Sequence, residues 1–64
     1  MTHYLVTVWR GSEMVRELWN EIEKHGQCET SAKVYALQLE RDFDDFEYTV
    51  RPVTDQELRE AITA

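Results

Sequence analysis

HYLVTVWRGSEMVRELWNEIEKHG, residues 3–26, decides how the chain begins to fold. His3 to Trp9 is rich in β-branched and aromatic residues that alternate, with Tyr4, Val6 and Val8 on one face and Leu5, Thr7 and Trp9 on the other, which predicts a strand. Gly11 and Ser12 end it. Ser12 is a helix-capping type, and Met14, Val15, Leu18, Trp19 and Ile22 then fall on one stripe at helical spacing. His25 and Gly26 close the stripe as a last-turn cation and a C′ glycine, so a helix is predicted over about residues 13 to 25.

Downstream, Thr30 or Ser31 can cap a second helix running to about Asp42, with Ala32, Tyr35, Ala36, Leu39 and Phe43 as its buried stripe. Val34 to Leu39 also fits alternation, and a hairpin from Lys33 to Val53 turning near Asp44-Asp45 is the competing arrangement. Phe46, Tyr48, Val50 and Pro52 alternate with Glu47, Thr49, Arg51 and Val53, which reads as a strand whose proline favours an edge or a strand end. Thr54-x-x-Glu57 is a capping box ahead of a last helix carrying Leu58, Ala61 and Ile62. The expected fold is therefore α+β, a single two-layer domain over residues 1–64 in the order β-α-α-β-α. Its two-stranded sheet, expected to be antiparallel, packs against helices. Two strands alone are marginal, so either the helices cover one face well or strands of two copies pair at an exposed edge.

Composition narrows the function classes. Thirteen Asp and Glu against seven Lys and Arg give a formal charge of −6, which argues against direct binding to nucleic acid or an anionic membrane, since both demand cationic surface. An apolar fraction of 42% is too high for a disordered acidic tail. Cys28 is the lone cysteine, so no internal disulfide can form; with no apolar run of membrane-spanning length and no signal-peptide pattern, a cytoplasmic location is expected.

Motifs with chemical meaning are weak. His25-x-x-Cys28 has the spacing of half a metal site, but a structural zinc takes four ligands and His3 is the only other His or Cys; a capping histidine followed by a small buried thiol accounts for the pair. Asp42-x-Asp44-Asp45-x-Glu47 lacks the turn glycine of a calcium loop and has Phe46 where a ligand belongs. With no phosphate-binding glycine loop and no supported nucleophile and base pair, neither an enzyme nor a cofactor or metal is expected.

The acids carry more pattern. On the predicted first helix Glu13, Glu17 and Glu21 repeat every four residues, stacking like charges about 6 Å apart along the axis, near the spacing of successive phosphates on a strand. Glu40, Asp42, Asp44, Asp45 and Glu47 form a second group, while Asp55, Glu57 and Glu60 open the last helix, where the macrodipole favours them. A solvated surface that keeps a small protein soluble accounts for all three groups; alternatively, the first two make one negative face complementary to a basic groove. Leu5 and Trp9, left on the outer face of the first strand if Tyr4, Val6 and Val8 face the helices, are candidates for a contact hot spot.

In size, charge and organisation, a short acidic chain with a capped helix, the acidic ladder Glu13, Glu17, Glu21 and the acid-rich turn Glu40 to Glu47 resembles the small inhibitors of phages and mobile elements, the anti-CRISPR proteins among them. The resemblance is one of type across the whole chain and matches no diagnostic motif. It implies non-enzymatic inhibition, often by blocking the nucleic-acid site of a CRISPR effector. The partner expected is thus a protein with a basic nucleic-acid-binding surface, contacted by these acids together with Leu5 and Trp9. The alternative is a homodimeric structural or adaptor module in which Leu5 and Trp9 make the contact and the charge serves solubility.

Overall fold

The computed structural model describes residues 2–63 and has the order β-β-α-α-β-α. β1 (His3–Arg10) turns at Gly11-Ser12 into β2 (Glu13–Glu17); a 3-10 turn (Trp19–Glu21) leads into α1 (Ile22–His25). α2 (Glu29–Asp42), β3 (Glu47–Val53) and α3 (Asp55–Thr63) complete the chain. The sheet has three antiparallel strands in the order β2-β1-β3, so the expectations of a two-stranded sheet and of a β-α-α-β-α order are both overturned.

The error lies in residues 13–25. Gly11 takes φ 61° and no other described residue has positive φ, the pattern of a two-residue II′ turn whose twist matches that of the flanking strands. Backbone ladder bonds to β1 then replace helical ones: Arg10 pairs with Glu13, Trp9 with Met14, Val8 with Arg16 and Thr7 with Glu17. The register slips between Val8 and Trp9, leaving Val15 as the extra residue of a bulge. That slip explains how a helical stripe fits a strand, because the bulge breaks the period of two. Met14 and Val15 are 50% and 45% exposed, not buried along a helix. Leu18 N donates to Val6 O (3.0 Å), and Leu18 and Trp19 then pack on opposite faces of the sheet.

Beyond Leu18 the chain leaves the sheet edge for the 3-10 turn and α1, and returns where Tyr4 N donates to Gly26 O at 2.8 Å. Gly26 has φ −109°, so it is not the left-handed C′ glycine the sequence suggested. Its need for glycine is spatial: a Cβ there would press into Tyr4 O and the Ile22 backbone.

β3 pairs with the other edge of β1, from His3↔Val53 to Trp9↔Glu47, which puts Pro52 on an edge strand as its missing donor requires. Helices pack on both faces of the sheet, so the domain has three layers, not two. On one face Val6 packs with Ala32 and Ala36 of α2, flanked by Tyr4, Leu18, Tyr35, Leu39, Tyr48 and Val50; the two alanines let the helix approach closely. On the other, Leu5, Ile22 and Val53 are buried against Trp19 and Leu58. Leu5 is 0% exposed, so its expected place on an open outer face is wrong.

The helix expected to end near Asp42 is α2, which excludes the Lys33 to Val53 hairpin. Its N-cap is Cys28, whose Sγ accepts from Ser31 N at 3.4 Å; the thiol is exposed, not buried. The Thr54–Glu57 capping box forms, with Thr54 N donating to Glu57 Oε1 and Glu57 N to Thr54 Oγ1, both at 3.1 Å. No helix among the described residues is long and apolar enough to cross a membrane.

The two glycines generate a ranked test in urea denaturation. A methyl at Gly11 meets open space but strains the left-handed backbone, so Gly11→Ala is expected to cost about 1 kcal/mol. Gly26→Ala must push β1 away from the Leu18 to Gly26 excursion, for a loss of about 2–3 kcal/mol. The reverse ranking would contradict this register.

Candidate functional site

The first acidic group does not form a ladder. Glu13 sits opposite Arg10 and Glu17 opposite Thr7, so the two carboxylates lie on opposite faces of the sheet, and Glu21 belongs to the 3-10 turn. Each of the latter two has a local partner. Glu17 Oε2 is 3.3 Å from Arg51 Nη2, whose Nη1 lies 3.4 Å from Glu57 Oε2; Glu21 Oε2 is 3.9 Å from His25 Nε2. Arg51 starts on β3 and reaches across β1 to Glu17 on β2, with its guanidinium 5.7 Å from the Trp19 ring centroid. Glu17 is therefore part of a clamp over the Leu5 face, invisible in the sequence because its partner is 34 residues away. Trp9 is half-buried beside that clamp, its Nε1 donating to Thr49 Oγ1 at 2.8 Å.

The second acidic group holds together. Glu40 and Asp42 stand in the last turn of α2, Asp44 and Asp45 in the following turn, and Glu47 opens β3; all five are exposed. Glu40, Asp44 and Glu47 border one surface hollow with Leu37, Arg41 and Phe46. Acids at a helix C-terminus oppose the macrodipole, and only Arg41 in that turn offsets them. Tyr48 secures the turn by donating its hydroxyl to Phe43 O (3.1 Å). Desolvation, then the charges of Asp45 and Glu40, push the pKa of that hydroxyl above its ordinary value.

Beside this acidic end lies an apolar cleft that sequence reasoning did not anticipate. α2 packs chiefly against β3 and β1, and a cleft separates it from β2. The resulting cleft, about 380 Å³, has Val8, Val15 and Leu18 as its sheet side and Tyr35, Leu39 and Phe43 as its helix side. Phe46 lines both the cleft and the acidic hollow, with the Arg10 guanidinium 5.1 Å from its ring centroid. Arg16 and Glu21 stand at the cleft margin. The Tyr35 hydroxyl titrates above its ordinary value through desolvation and then Glu21, against a smaller opposing effect of Arg16; its ring stacks on His25 at 3.9 Å. Phe43 is 57% exposed at the cleft mouth. The one sequence signal for this feature was the pair of phenylalanines embedded among acids at 42–47.

Among the described residues no three His, Cys, Asp or Glu side chains converge to hold a metal ion. No protein-family model, no curated protein and no solved structure matches the chain.

The clamp supplies two tests. Glu17→Lys sets a cation beside Arg51 and is expected to lose about 1 kcal/mol, partly recovered by adding Arg51→Glu, whereas Glu13→Lys, across the ladder from the exposed Arg10, is expected to lose less, about 0.5 kcal/mol; a double-mutant cycle reads the coupling. The second test follows acid titration. The Thr54 backbone N–H and then Arg51 hold the Glu57 carboxyl below its ordinary range, so its ionised form stabilises the fold above the unfolded-state value. That contribution is lost as pH falls through the folded-state value. Glu57→Gln should therefore melt below the parent at neutral pH, with the gap closing below about pH 4. A gap independent of pH would contradict the assignment.

Proposed function

We propose that the chain is a non-enzymatic binding protein that inhibits a nucleic-acid-handling protein by occupying its basic surface with the acid-rich end Glu40, Asp42, Asp44, Asp45 and Glu47. The observation that supports this most is the placement of those carboxylates. They crowd the C-terminus of α2, where helix electrostatics disfavours them, around the aromatic residues Phe43 and Phe46. Solubility alone is served as well by acids spread over the surface. Five exposed carboxylates at one end, in a chain of charge −6, can stand in for phosphates in a groove lined by Lys and Arg. A CRISPR effector is one instance of such a partner. A cytoplasmic location accords with the exposed free thiol of Cys28.

The electrostatic face is smaller than the full set of acids implied, because Glu17 is held in the clamp and Glu13 stands across the ladder from Arg10. The homodimeric adaptor reading is weakened, since Leu5 is buried and Trp9 is half-buried with its indole N–H bonded within its own sheet.

Immobilised parent protein and a fourfold variant, Glu40→Lys with Asp44→Lys, Asp45→Lys and Glu47→Lys, test the proposal in host extract. The parent is expected to retain a protein that binds nucleic acid and to lower its affinity for that nucleic acid. The variant should associate about ten-fold more slowly or worse, a loss that added salt reproduces in the parent. Equal retention by the variant, or a captured partner whose nucleic-acid binding is unchanged, would refute it.

A further inference from the structure

A helix is about 10 Å across and strands are spaced about 4.8 Å apart, so one helix covers about two strands of a sheet. α2 packs chiefly on β3 and β1, and between it and β2 the described residues leave an open cleft. Its lining is mainly apolar, with Val8 and Val15 from the sheet and Leu39 and Phe43 from α2, and Arg16 of β2 stands across the ladder from Val8. Val15 projects there because the bulge adds a residue to β2.

The surroundings choose the occupant. Glu21 stands on the cleft margin, and Phe46 joins the cleft to the hollow of Glu40, Asp44 and Glu47. The cations in reach are Arg16, and Arg10 and Arg41 near Phe46, which leaves the rim negative overall. A second copy of the chain is disfavoured because each carries −6 and would bring the same acids to the contact. We propose that this cleft receives an amphipathic helix of the partner protein, its apolar stripe against Val15 and Phe43 and its Lys or Arg residues against Glu21 and the acid-rich end. The bound helix would lie beside α2 as a second helix on that face, reading the cleft through apolar residues at i, i+3 or i+4, and i+7. The inference rests on the proposed basic partner and adds the element of that partner which docks.

The probe is a labelled synthetic peptide of about 14 residues with Leu at helical spacing and Lys elsewhere, paired with an isomer of the same composition and scrambled order. Fluorescence anisotropy gives affinity, and matched melting curves confirm that each variant folds. The patterned peptide is expected to bind about ten-fold more tightly than the scrambled one. Phe43→Ala and Val15→Ser should each weaken it by about five-fold or more, while Ile62→Ala, exposed on α3 away from the cleft, should change it less than about two-fold. If both peptides bind equally, and only the fourfold charge reversal weakens them, the helix inference fails and the basic-partner reading stands. If Phe43→Ala removes binding but the charge reversal does not, the acidic-end reading fails while the cleft stands. Absence of binding by the patterned peptide overturns the inference.

Discussion

β1 gives backbone hydrogen bonds on both of its edges, to β2 on one side and to β3 on the other, and the rest of the molecule is hung on that strand. A chain of 64 residues has little apolar surface to bury, and here it is divided between two small clusters, one centred on Val6 and one on Leu5. Adjacent residues of β1 point to opposite faces, so each cluster is seeded by a neighbouring position of the same strand. A slip of one residue would exchange the clusters and strand Val6 under the wrong helix. Gly26 and the Leu18 N to Val6 O bond hold the β2 edge in place, and Arg51 ties β3 to β2 over the top of β1.

Local signals survived translation into structure where no pairing with a distant strand competed with them. β1 and β3 were legible through alternation, Pro52 correctly marked an edge, and the Thr54–Glu57 box marked the start of α3, because each depends on residues near one another in sequence. β2 was misread because Met14, Val15, Leu18, Trp19 and Ile22 satisfy a helical period that the bulge at Val15 produces by accident. The corrective signal was present: Gly11-Ser12 sits between Val-Thr-Val-Trp-Arg and Glu-Met-Val-Arg-Glu, the two-residue spacing of a tight hairpin. Its competitor, Ser12 as a helix cap, rested on equally short-range evidence, and the decisive energy is the pairing of β2 with a strand already paired to β3.

The candidate site divides along the same line. Glu40 to Glu47 stayed together because the group is nearly contiguous in the chain. Glu13, Glu17 and Glu21 formed a face only on a helix that does not exist, and the strand disperses them. Leu5 fell on the wrong side of the ledger because the second covered face depends on Trp19, Ile22 and Leu58, residues brought to it by the 3-10 turn, α1 and α3. The apolar cleft arises from the same correction: a third strand widens the sheet beyond what α2 covers.

Cross-strand nuclear Overhauser contacts test the account at its root, the assignment of residues 13–17 to a strand clasping β1. Close backbone proton pairs are expected between Val8 and Arg16 and between Trp9 and Met14, together with a protected Leu18 amide donating to Val6. A continuous series of contacts between residues three apart from Glu13 to His25, without those cross-strand pairs, would mean a helix there, and the sheet, the clamp and the cleft would all be wrong.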